Sequence, residues 1–134
     1  MNIVNTKVLL NGPRNAVVSV YFRSDGASGE LENYTLVDPE VTLGMAKKSR
    51  LMLLHVAYNF AGFDGVLEFA SGGVTPNFKW VLSESANYPL DLSVFGGLID
   101  DSGLDGQSKL QISTTGFTAS TDQGSLILVL KTTR

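Results

Sequence analysis

Apolar residues recur along this chain mainly at every second position, and that period predicts strands rather than helices. Residues 16–24 give the clearest case. Ala16, Val18, Val20 and Phe22 fall on one face, and Val17, Ser19, Tyr21 and Arg23 on the other. Counting such segments predicts about eight strands, over 6–10, 16–24, 31–37, 50–58, 65–70, 77–83, 109–115 and 125–131. They are punctuated by turn formers such as Asn11-Gly12-Pro13, Asp25-Gly26 and Asp38-Pro39, residues that accept positive φ or remove a ladder donor. Residues 40–49 have weak helical potential, but Gly44 interrupts them, so the reading there is a connection with at most one helical turn. Residues 84–108 form the longest irregular stretch.

Two segments are apolar on both faces. In 50–58, Met52, Leu54, Val56 and Tyr58 oppose Leu51, Leu53, His55 and Ala57; in 125–131, Leu126, Leu128 and Leu130 oppose Ile127 and Val129. An antiparallel strand with one wet face alternates, so these are expected to be covered on both sides. The cover is either the chain itself or a second copy. In the second case Leu51, Leu53, His55, Ile127 and Val129 form an oligomer interface, as a dimer or trimer.

Composition narrows the class. A chain of 134 residues with 43% hydrophobic and 17% charged positions is not disordered. No linker or repeat divides it, so residues 1–134 read as a single antiparallel β-sandwich domain, all-β and jelly-roll-like. The net charge is −3, and no basic run exceeds the trio Lys47, Lys48 and Arg50. That argues against a nucleic-acid surface, which shows a basic stripe. There is no cysteine, hence no disulfide framework. Apolar runs are too short for a membrane span. The start, MNIVNTKVLLNGPRN, lacks the basic and apolar regions of a signal peptide. The expectation is a protein that stays in the cytoplasm where it is made, or assembles there.

Candidate chemistry is thin. His55 is the single histidine, whereas a metal centre on a β-barrel draws on two or three. Asp100, Asp101 and Asp105 invite calcium, but their spacing lacks the alternating ligands and distant glutamate of a calcium loop and matches ordinary turns. Asp64 and Glu68 share a face by period-2 spacing, which alone does not make a glycosidase pair. Gly72-Gly73 is not followed by the lysine of a phosphate loop, and no G-x-S-x-G occurs. The sequence therefore predicts no catalytic, metal-binding or cofactor-binding residues and no enzyme.

The run Tyr58-Asn59-Phe60-Ala61-Gly62-Phe63-Asp64-Gly65-Val66-Leu67-Glu68-Phe69, with Phe95-Gly96-Gly97-Leu98 and Ile112-Ser113-Thr114-Thr115-Gly116-Phe117, resembles small virion proteins of tailed bacteriophages. The resemblance is to their capsid decoration, or cement, proteins. It implies a jelly-roll-like sandwich that binds the capsid exterior as an oligomer, with the major capsid protein as partner and the virion as its location. On that reading the polar loops are expected to touch the capsid: Asn2 and Asn5 in the N-terminal segment, Asp25 and Ser28 in the first loop, and Lys47 and Lys48. An ordered N-terminal segment is expected to pair as an added strand on an exposed edge of the capsid protein. The alternative is a lectin-like fibre module in which Tyr88 and Phe95 stack on sugars.

Overall fold

A computed structural model describes residues 1–12, 14–44, 50–69, 79–85, 89–99 and 109–133. Its elements are β1 (Ile3–Asn11), β2 (Asn15–Arg23), β3 (Tyr34–Val37), β4 (Arg50–Ala61), β5 (Asp64–Phe69), β6 (Lys79–Leu82), β7 (Leu90–Asp91), a 3-10 helix η1 (Leu92–Phe95), β8 (Leu98–Ile99), β9 (Leu110–Thr115) and β10 (Gln123–Thr133). Every segment predicted as a strand contains one. The additions are β7, η1 and β8, which lie in the stretch read as irregular. Strands of two residues are too short to show a period. Within 40–49 the described residues form a turn rather than a helix, with Thr42 N donating to Asp38 O (2.8 Å) and Gly44 N to Glu40 O (3.0 Å); residues 45–49 lie outside those described.

The strands form two antiparallel sheets. One runs β1-β2-β10-β4-β7, with β8 also paired to β4; the other runs β3-β9-β5-β6. With β7 and β8 taken as one interrupted position, the strands from β2 onward fill the sheets in the order first-eighth-third-sixth and second-seventh-fourth-fifth. That is the double Greek-key arrangement of a jelly roll, and β1 is an extra strand outside it.

The predicted faces meet between the sheets. Val18, Val20 and Phe22 of β2 and Leu126, Leu128 and Leu130 of β10 are buried, facing Leu67 and Phe69 of β5 and Leu110 and Ile112 of β9. One end of the core is aromatic: Phe60 stacks on Phe63 at 4.6 Å, and Phe22 and Phe117 meet Phe63 edge-on at 6.4 and 4.6 Å. Gly124 makes room for the stacked pair, since a Cβ there would lie 2.6 Å from Phe60 Cδ1 and 2.9 Å from Phe63 Cζ.

One predicted face is wrong. β4 pairs regularly with β10 up to His55 opposite Val129, then jumps to Leu53 opposite Leu130, leaving Leu54 as an extra residue. A bulge reverses which side chains point inward. Leu51 and Leu53 therefore join Val56, Tyr58 and Phe60 in the core, at 2% and 0% exposure, and neither is available to an oligomer interface. His55 and Ala57 remain on the outer side.

Candidate functional site

The outer face of the larger sheet is assembled from cross-strand rows. Leu10 opposes Val17, Val17 opposes Val129, Val129 opposes His55, and His55 opposes Asp91. The next row is Lys7, Ser19, Ile127 and Ala57, and the one after is Asn5, Tyr21, Ser125 and Asn59. Because the alternate positions fill the core, these side chains must face away from it. The face carries an apolar stripe: Leu10 is 53% exposed and Ile127 42%, with Val17, Ala57 and Val129 half-buried beside them. The outer face of the smaller sheet is largely polar, with Thr35, Gln111 and Glu68 in one row, Thr115 and Asp64 in another, and Val66 and Val81 as its apolar pair. Of the residues predicted for an interface, Ile127, Val129 and His55 share the outer face of the larger sheet.

At the end of its row, His55 Nδ1 lies 3.3 Å from Asp91 Oδ1. Asp91 also caps η1, accepting from Ser93 N at 3.0 Å and from the Ser93 hydroxyl. The Ser93 hydroxyl, then its amide, and lastly the charge of His55 hold the Asp91 carboxyl below its ordinary range. The pair fixes the sheet margin and brings no third ligand. Among the described residues, no group of three or more His, Asp or Glu side chains is placed to hold a metal.

The residues expected to touch a capsid fall into separate places. Asn2, Asp25 and Ser28 are brought together. Asn2 Nδ2 donates to Gly29 O (3.0 Å), Asp25 N donates to Asn2 Oδ1 (3.0 Å), and Ser28 N donates to Asp25 Oδ1 (2.7 Å). The Met1 ammonium, then the Ser28 hydroxyl and the Ser28 and Ala27 amides, hold the Asp25 carboxyl far below the usual carboxylate range. Beside this cluster lies an open recess of about 240 Å³ lined by Met1, Ile3, Arg23, Ser24, Asp25 and Ser120. Asn5 stands apart from it, mid-strand opposite Tyr21. Lys47 and Lys48 lie outside the described residues, as do Tyr88 and the aspartates Asp100, Asp101 and Asp105. The N-terminal segment is ordered as β1, with Ile3 to Asn11 paired to β2.

Of the two carboxylates considered for glycosidase chemistry, Glu68 stands in mid-strand opposite Gln111 and Asp64 holds a turn together with Glu84. Asp64 Oδ1 accepts from Glu84 N (2.7 Å), and Glu84 Oε2 accepts from Gly62 N (2.6 Å). Two further structural acids escaped the sequence reading. Glu30 accepts from Phe117 N (2.6 Å) and the Thr114 hydroxyl (2.8 Å). Asp122 accepts from Thr118 N (3.1 Å) and Ala119 N (2.9 Å). The Asp-x-Ser spacing of Asp91 and Ser93 was a legible capping signal; the partners of Glu30 lie too far along the chain for any local pattern to show.

No family model and no curated protein matches this chain. Among solved structures, it overlays a Bacillus endospore appendage pilus protein with a TM-score of 0.40 and 11% identity, over 95% of this chain and 96% of that one. A structure of CapF with the inhibitor 3-isopropenyl-tropolone gives 0.40 and 12%, over 96% of this chain and 30% of that one. The virus-like particle of the Macrobrachium rosenbergii extra small virus gives 0.32 and 16%, over 87% and 79%. Likenesses of this size assign the chain neither a family nor an activity.

Proposed function

We propose that this chain is a non-enzymatic structural protein of a virion, which binds the outside of a bacteriophage head as a homo-oligomer and stabilises it. The observation that carries the reading is the apolar stripe on the outer face of the larger sheet. Leu10, Val17, Val129 and Ile127 stand there in register, at a place where an ordinary solvated sheet face is polar. The jelly-roll topology agrees with the fold implied by the resemblance to decoration proteins, although the same fold also serves lectins and cupins. The stripe seats the chain on the capsid, and each weak seat gains from linkage because an oligomer engages several sites at once.

Co-sedimentation of the purified chain with heads stripped of it is the test. Saturable binding at many copies per head, reduced by Ile127→Lys, supports the reading. A handful of copies indicates a vertex or tail position instead. No binding, with glycan binding in its place, removes the reading in favour of a sugar-binding module.

A further inference from the structure

Strand β1 is held on one side only. It forms the margin of the larger sheet, and β2 is its one strand partner among the described residues. Its inward positions Thr6 and Val8 stay exposed although the residues they pair with, Val20 and Val18, are fully buried. Of its apolar side chains, Val4 packs against the core, while Ile3, Val8, Leu9 and Leu10 are exposed. A long apolar edge of this kind is a template for another strand.

The residues of that edge read alike in both directions. Ile3-Val4-Asn5-Thr6-Lys7-Val8-Leu9 runs apolar, apolar, polar, threonine, polar, apolar, apolar. An antiparallel pairing of two identical strands across a two-fold axis needs such symmetry, because residue i meets j while j meets i. With the axis at Thr6, Thr6 meets Thr6, Asn5 meets Lys7, Val4 meets Val8, and Ile3 meets Leu9. Inward residues then meet inward residues, and no charge meets its like. An axis at Lys7 would set two ammonium groups face to face, and an axis at Asn5 would set Ile3 against Lys7. A shift by one residue would set inward positions against outward ones. The register break between Val8 and Leu10 limits the pairing to this short window.

We infer that β1 is the self-association edge of this protein: two copies pair β1 to β1, antiparallel about Thr6, and join their larger sheets into one. The two outer faces then become continuous, and the apolar stripe is doubled. Because the pairing consumes the edge on both copies, it closes as a dimer rather than growing into a fibre. This goes beyond the capsid reading in naming the contact, and rests on it only in taking the chain to be an oligomer.

Light scattering on the purified full chain tests it directly. The expected mass is twice that of the 14.4 kDa chain. Asn5→Lys places a second cation opposite Lys7 at both symmetric contacts and is expected to weaken the dimer roughly tenfold. The double variant Asn5→Lys with Lys7→Glu turns both contacts into ion pairs and is expected to restore it. Thr6→Cys, in a chain with no other cysteine, supplies a second readout by forming a disulfide-linked dimer under mild oxidation. A monomeric chain at all accessible concentrations overturns the inference. So does an oligomer indifferent to Asn5→Lys, or one that Thr6→Cys does not cross-link. Head binding is scored separately, so a monomer that still decorates heads overturns this contact alone, and a dimer that ignores heads overturns only the capsid reading.

Discussion

Single residues here are constrained by what sits against them across the sandwich. Gly62 has φ +90°, and a Cβ built on it would lie 2.0 Å from Asp122 Oδ1, a carboxylate already committed to the amides of Thr118 and Ala119. Gly62→Ala therefore combines left-handed strain with displacement of a buried acid. It is expected to cost about 2–4 kcal/mol in denaturant unfolding. Glu30→Ala leaves the Phe117 amide and the Thr114 hydroxyl without their carboxylate partner, a loss of about 1–3 kcal/mol, measurable the same way. Asp91 gives a pH signature instead. Its carboxyl is held below the ordinary 3.8 in the folded chain, so its ionised form contributes stability above that value, and the contribution disappears as pH falls through the lower folded value. The melting-temperature gap between wild type and Asp91→Asn is therefore expected to be open at neutral pH and to close in acid. A constant gap would mean the carboxylate charge plays no part.

At the scale of elements, β4 is the informative case. Its alternation breaks at Leu54, and this one extra residue decides that Leu51 and Leu53 face the core while His55 faces out. Deleting Leu54 restores a regular ladder in which every remaining residue keeps its face, so the deletion is expected to fold. Deleting Ala57, three positions on, moves one side of β4 to the wrong face, and it is expected to abolish cooperative unfolding by circular dichroism. The sequence showed that both faces of 50–58 are apolar, but not why. Half of that pattern reflects a register change visible only against β10, and half a sheet face left open. The eight segments themselves were legible because long strands carry their period in the chain. β7 and β8, two residues each, exist because β4 lies alongside them.

At the scale of the whole molecule, the two sheets differ in what they show to water. The smaller presents Thr35, Gln111, Glu68, Thr115 and Asp64, and the larger presents the stripe from Leu10 to Val129 with Ile127. On the capsid reading proposed above, the contact surface is the stripe face of the sandwich. Ile127→Lys should leave stability within about 0.5 kcal/mol, since the side chain is exposed, yet lower binding to stripped heads in co-sedimentation. Reduced stability together with reduced binding would instead mean that the residue serves the fold.

The sequence by itself determined that the fold is all-β, where its eight principal strands lie, and which residues of β2 and β10 share a face. Those properties follow from the alternation of neighbouring residues. It also located Ile127, Val129 and His55 at positions that turned out to share one outer face. The tertiary structure alone decided that Leu51 and Leu53 lie inside, that the first strand starts at Ile3 and pairs with β2, and that Asn2, Asp25 and Ser28 meet at one end. Each of these depends on pairing between residues distant in the chain, where a bulge or a shared loop changes the outcome and leaves no mark on the local pattern.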